Sequence, residues 1–174
     1  MEEADKKALF KKLLVDKFFQ FVIEKTDEML AFVNTKSSTN SPAEAEEWLV
    51  NELKLRTRSL NVALTMGELF QQGWFQHEIL LQVFDIWLSK NKSWETIDNS
   101  IKLLNSIGKR LEAVDPLSVQ QLIKYLGTII DGKHKDVGQP TPRMKFMLKD
   151  LVDAQQGGWI VESIVPQIED VQGN

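Results

Sequence analysis

Residues 93–116, SWETIDNSIKLLNSIGKRLEAVDP, decide the fold. Ile97, Ile101, Leu104, Ile107 and Leu111 recur every three or four positions, the spacing that stacks side chains on one face of an α-helix. Asp98, Lys102, Asn105 and Lys109 fall on the opposite face and are expected to be solvated. Ser93 is placed to cap the start, because a serine oxygen can accept from an unpaired N–H of the first turn. At the other end Asp115-Pro116 stops this helix and opens another, since proline's fixed φ and missing N–H suit a first helical position.

The same signals recur in both directions. Downstream, Val119, Leu122, Ile123, Leu126, Ile129 and Ile130 form the apolar stripe of the helix that Pro116 begins. A polar connection, DGKHKDVGQP, leads to Thr141-Pro142, which opens a last helix running to about residue 156 and stopped by Gly157-Gly158. Upstream, residues 76–89 are apolar around more than half their circumference and need neighbours on several sides. Before them, Ser41-Pro42 starts a helix carrying Trp48, Leu49, Leu53, Leu60, Ala63, Leu64, Met66, Leu69 and Phe70, with Gly73 as its stop. Residues 4–33 repeat the pattern with Leu9, Phe10, Leu13, Leu14, Phe18, Phe21 and Val22, and end in the polar loop Asn34 to Pro42.

No stretch alternates with the two-residue period of a half-buried strand, so the fold class is all-α. Six helices with mostly short connections pair as three antiparallel hairpins, roughly 4–72, 76–111 and 116–156. The later two have the length of HEAT-type units, which bury their faces by stacking into an α-solenoid. The hairpins are not visibly alike in sequence, and an irregular bundle is the competing architecture. One helical-repeat domain over residues 1–159 is expected, followed by a tail, 160–174, either docked or flexible.

Composition narrows the function. The chain has 174 residues, 43% of them hydrophobic, enough for one core without metals or disulfides. It has no cysteine, which removes disulfides, thiolate zinc sites and thiol nucleophiles. No apolar run is long enough to span a bilayer, so a soluble, cytoplasmic protein is expected. Net charge is -4, but it is uneven. Residues 101–150 hold nine Lys or Arg against five acids, while the last 24 residues hold four acids and no base. Any RNA or acidic-partner surface belongs in the basic block, where Lys102, Lys109, Lys133 and Lys135 are the candidate RNA contacts, and ordinary solvated helix faces are the competing reading.

Signs of catalysis are missing. The chain contains no phosphate-cradling glycine loop, no dinucleotide fingerprint and no serine elbow. His77-Glu78 lacks the second histidine of a metalloprotease helix, and His134 sits in the polar connection, so no metal site and no cofactor are expected. The five tryptophans read as packing residues, with Trp74 and Trp159 the two best placed for exposure. The last helix carries one anomaly. Met144, Met147, Leu148 and Leu151 form its apolar stripe, yet Phe146 falls on the polar side among Lys145, Lys149, Asp150 and Asp153, with Arg143 at the edge. An aromatic side chain ringed by charge suits the centre of a protein-binding patch, and packing against a neighbouring helix is the competing reading.

Three segments together resemble the middle domain of the eukaryotic translation initiation factor 4G family, a HEAT-like solenoid. They are Arg58-Ser59-Leu60 followed by Met66-Gly67-Glu68-Leu69-Phe70, then Leu103-Leu104-Asn105-Ser106-Ile107-Gly108-Lys109-Arg110-Leu111-Glu112, then Arg143-Met144-Lys145-Phe146-Met147-Leu148-Lys149-Asp150 with Trp159. The resemblance implies a non-enzymatic scaffold in translation initiation that docks a DEAD-box RNA helicase of the initiation factor 4A type and also contacts mRNA. It implies that the helicase contact falls on Phe146, Arg143 and Lys145, and Lys149 and Asp150 of the same helix complete the candidate partner-binding set. Three hairpins stand where a full domain of that family has about five, so the family's N-terminal hairpins have no counterpart here. Asp153-Ala154-Gln155 and Asn61 also depart from the family pattern. Adaptors of mRNA decay, deadenylation and cap binding share the fold and are the alternatives, along with a direct RNA-binding module and self-association through an uncapped end.

Overall fold

A computed structural model describes residues 2–35 and 41–160. It contains six α-helices and, among the described residues, no strand: α1 (Glu2–Val33), α2 (Pro42–Gln71), α3 (His77–Asp85), α4 (Trp94–Val114), α5 (Pro116–Ile130) and α6 (Pro142–Gln156). One wide π turn, Ile86–Lys90, extends α3, and a short 3-10 turn, Lys135–Val137, lies between α5 and α6.

Local chemistry explains the boundaries. Ser41, Ser93, Asp115 and Thr141 each accept a hydrogen bond from the backbone N–H three residues on, and at Ser93 the Thr96 hydroxyl returns the bond to complete a capping box. Proline occupies the first turn of α2, α5 and α6. Gly73 and Gly158 follow helix ends with φ of 81° and 73°, a left-handed backbone that L side chains resist.

The helices pair as α1/α2, α3/α4 and α5/α6, and the hairpins stack so that α2, α4 and α6 form one layer. The layer is parallel: Ser59 meets Asn99 and Gly67 faces Leu103 and Ile107 across α2 and α4, while Arg143 meets Asp98 and Gln155 meets Glu112 across α4 and α6. This is the expected α-solenoid. The hub is α4, which touches α2, α3, α5 and α6. Its buried set therefore widens beyond the expected stripe to include Thr96, Asn99, Ser100, Leu103 and Gly108. Asp98 and Lys102, expected on a wet face, are half-buried because α6 packs across that side.

Two glycines set how closely the layer packs. A Cβ on Gly67 would come within 2.8 Å of Ile107 Cγ2, and one on Gly108 would overlap the Trp159 ring. The ring lies over α4, and Trp159 Nε1 donates to Glu112 Oε2 at 2.6 Å. Trp87 is fully buried, and its Nε1 donates to the Thr26 hydroxyl of α1 at 2.9 Å.

The first hairpin differs from the other two. Leu9, Phe10, Leu13 and Phe21 of α1, and Leu49 and Leu53 of α2, are exposed. Sequence periodicity placed them on apolar stripes, and it is right about the face; no helix among the described residues covers that face. Trp74 is exposed as well, while Trp159 is half-buried. Ile160 is exposed, and the rest of the expected tail, 161–174, lies outside the described residues.

Candidate functional site: the outer face of the last helix

Met144 and Leu151 bury the inner face of α6 against the core, with Met147 and Leu148 half-buried beside them. This stripe fixes the rotation of the helix, and Phe146, two residues past Met144, must point outward. It does so at 67% exposure, the most exposed aromatic side chain of the described residues. Lys149 and Asp150 follow one turn later and Lys145 adjoins it; all three are exposed. Lys145 and Lys149 also line an open groove with Ile130, Pro140, Leu148 and Val152. The structure thus brings Phe146, Lys145, Lys149 and Asp150 together on one surface.

Arg143 belongs to a different set. Its guanidinium approaches Asp98 Oδ1 at 3.2 Å, while Lys102 of α4 holds the other oxygen of the same carboxylate at 2.5 Å. The Asp98 side chain is only 14% exposed, so two cations neutralise one half-buried charge. A turn away, Arg56 of α2 bridges Glu52 at 2.6 Å and Glu95 at 2.8 Å. These ion pairs tie α2, α4 and α6 together across the layer. Within each group, the spacings Glu52/Arg56 and Asp98/Lys102 are readable as helical i, i+4 pairs. The links from Arg56 to Glu95 and from Asp98 to Arg143 depend on the stacking and leave no local signal.

The candidate RNA-contacting lysines do not form a single stripe. Lys102 is bound by Asp98. Lys109 is exposed on α4 but lies eleven residues beyond Asp98, roughly 16 Å along the helix. Lys133 and Lys135 are exposed in the connection between α5 and α6, near the other end of α4.

That connection is pinned from the α3/α4 side by a lysine that the sequence reading passed over. Lys92 Nζ pairs with Asp136 at 3.0 Å, lies 5.8 Å from the Tyr125 ring centre, and sits 3.2 Å from His134 Nδ1. With Nδ1 accepting from Lys92, His134 donates through Nε2 to the Thr128 hydroxyl at 3.1 Å. Burial pushes the Lys92 ammonium down, but the Asp136 hydrogen bond and the neighbouring Tyr125 outweigh it and leave its pKa raised. The hydrogen bond from Lys92 in turn holds the Asp136 carboxyl below the usual carboxylate range.

Both histidines thus have ordinary structural surroundings; His77 lies 3.3 Å from Glu78 and 3.8 Å from Asp115. Among the described residues no cluster of three or more His, Cys, Asp or Glu could hold a metal. No helix among them is long and apolar enough to cross a membrane.

Two comparisons place this arrangement among known proteins. The family model of the MIF4G domain matches residues 4–156. The chain is also 28% identical over 159 residues to mouse eukaryotic translation initiation factor 4 gamma 1, a match covering 87% of this chain and 10% of the relative. The chain thus spans about a tenth of that protein's length. Ser59, Gly67, Gly108, Glu112 and Trp159, which lie in the segments whose sequence resembles the initiation factor 4G family, also set the helix packing here. With the family model covering nearly the whole described solenoid, this chain belongs to the MIF4G domain family.

Proposed function

We propose that this chain is a non-enzymatic scaffold of translation initiation whose α6 face receives a DEAD-box RNA helicase of the initiation factor 4A type. The observation that carries the reading is Phe146, an aromatic ring two-thirds exposed and bordered by Lys145, Lys149 and Asp150. Leaving such a ring in water is unfavourable unless another surface covers it, and a charged rim adds orientation and partner choice. Arg143, whose guanidinium lies 3.2 Å from Asp98, stands at the edge of the same face with its side chain 66% exposed. Support for the class of partner comes from the likeness to the translation factor and not from the geometry. A cytoplasmic location goes with this reading.

The test is capture of proteins from a cytoplasmic extract on the wild-type chain and on Phe146→Ala, identified by mass spectrometry. Because Phe146 is exposed, the substitution should change stability by no more than about 0.5 kcal/mol. Loss of a central aromatic anchor should weaken binding by about 2 kcal/mol or more, close to thirtyfold. Undiminished capture of the helicase by a folded Phe146→Ala chain rejects this face. Capture of decay, deadenylation or cap-binding factors instead assigns the chain to another branch of the fold.

Direct RNA contact is a second reading, favoured by the exposure of Lys133, Lys135, Lys145 and Lys149 in one stretch of chain. It requires single-strand affinity whose logarithm falls with log salt at a slope near -0.7 per phosphate contact.

A further inference from the structure

At the end of the stack opposite α6, α1 and α2 part to form an open groove of about 710 Å³ whose two walls differ in chemistry. Phe18 and Phe21 make the α1 wall apolar, and Leu14 continues it in an adjoining hollow. The α2 wall, from Leu53 to Thr65, mixes apolar Leu53 and Val62 with Lys54, Thr57, Arg58 and Asn61. No carboxylate is among the residues lining the groove. Lys17 and Lys25 of α1 stand close by, so four cations face two nearby acids, Glu24 and Glu28. Lys54 has no ion pair among the described residues, and Arg58 stands 3.8 Å from Glu28.

These walls select the kind of partner. A segment that fits must be apolar on one side, to cover Phe18, Phe21 and Leu53, and acidic on the next, to answer Lys54 and Arg58. From Leu53 to Thr65 the α2 wall rises about 18 Å, which matches about three turns of helix. An amphipathic helix with an apolar stripe beside a row of Asp or Glu satisfies both walls at once. Single-stranded RNA also carries negative charge but fits less well. Base stacking needs a free ring face, whereas Lys25 lies 5.4 Å from the centre of the Phe21 ring and Phe18 packs edge-on against Phe75 at 5.9 Å. The groove between α5 and α6 is a poorer seat for an acidic helix, because Asp131 lines it and Asp150 and Asp153 stand on the same helix.

We propose that the α1/α2 groove receives an acidic amphipathic helix of a partner protein, about three turns long. Its apolar side chains cover Phe18, Phe21 and Leu53, and its carboxylates pair with Lys54 and Arg58. The seat lies at the far end of the stack from Phe146, so it leaves the α6 face free and is independent of the helicase reading.

The test titrates the isotope-labelled 174-residue chain with three probes. One is a capped peptide of about fourteen residues with leucine at helical i, i+3, i+4 and i+7 spacing, glutamate flanking the leucines and alanine elsewhere. The second has lysine for every glutamate, and the third is oligouridylate. The expected result is saturable amide shifts at Phe18, Phe21, Leu53, Thr57 and Val62 with the glutamate peptide and with neither other probe. Lys54→Glu, a change at an exposed side chain, should weaken that binding about tenfold, and adding Arg58→Glu should abolish it. No saturation up to about 1 mM, equal binding of the lysine peptide, or indifference to the charge reversals would overturn the proposal. So would tighter binding of the RNA, shifts at Leu148 and Val152 instead, or groove shifts that grow with chain concentration alone. Those three results would assign the contact to nucleic acid, to the α6 side or to a second copy.

Discussion

Gly108→Ala should destabilise the protein, although alanine is the better helix former. In the interior of a helix the exchange alone favours folding by about 1 kcal/mol. Here the added methyl occupies space filled by the Trp159 ring, at the face-to-face contact between α4 and the end of α6. If the indole stays, the overlap costs about 1–3 kcal/mol. If it leaves, the bond from Trp159 Nε1 to the Glu112 carboxylate is lost, worth about 1.5–3 kcal/mol, together with the burial of half an indole. The molecule takes the cheaper response, and subtracting the propensity gain from the overlap cost leaves a net loss of about 1 kcal/mol, and of no more than about 2 kcal/mol. For a chain of this size each kcal/mol moves the thermal midpoint by about 2–4 °C, so a fall of a few degrees is expected. The assay is urea denaturation of four chains: wild type, Gly108→Ala, Trp159→Ala and the double variant. With the indole gone the three nearest contacts of the methyl disappear, and Gly108→Ala in the Trp159→Ala background should stabilise by about 0.5–1 kcal/mol. Equal losses in both backgrounds would refute the account, because they would place the cost of the methyl somewhere other than Trp159.

Other substitutions probe the remaining cross-helix contacts. Thr26→Val keeps the side-chain shape but strips the fully buried Trp87 N–H of its acceptor, so the urea midpoint should drop by about 1–3 kcal/mol at unchanged slope. Arg56→Met unpartners Glu52 and Glu95, whose side chains are 13% and 14% exposed; about 1–2 kcal/mol should be lost in urea melts, less at high salt. The Lys92–Asp136 pair predicts a plateau in pH. The depressed Asp136 carboxyl contributes stability above its ordinary pKa near 3.9 and loses it as pH falls through the lower folded value. The raised Lys92 contributes fully below about 10.4 and loses it as pH rises through the higher folded value. An NMR titration of the Asp136 carboxyl in Lys92→Met should return it toward the ordinary range; no change would remove Lys92 as the cause.

What the sequence revealed was local chemistry. Ser41, Ser93, Asp115 and Thr141 could be read as caps because a capping side chain bonds backbone only three residues away. Phe146 could be read as an outward ring because Met144 and Leu151 fix the helix face. What periodicity reports is which residues share a side of a helix, and it is silent on what lies across from them. Leu9, Phe10 and Leu13 form as regular a stripe as Ile97, Ile101 and Leu104, yet the first set is exposed and the second buried. Asp98 and Lys102 looked solvated for the same reason, since the arrival of α6 beside them is a fact of stacking. Lys92 drew no notice, because its partners Tyr125, His134 and Asp136 lie 33 to 44 positions away in the chain.

The position of α4 has a consequence for the order in which the molecule comes apart. Among the described residues no other α-helix packs closely on more than two others, and α1 begins with three turns of wholly exposed residues, whereas α4 is held by four helices at once. Opening therefore proceeds as unzipping from the two ends, in steps of roughly one hairpin, and the amides of α4 exchange with solvent only when the whole chain unfolds. Among the described residues a protease should accordingly cut first within α1, and it should leave behind a core in which α4 is the last helix still protected.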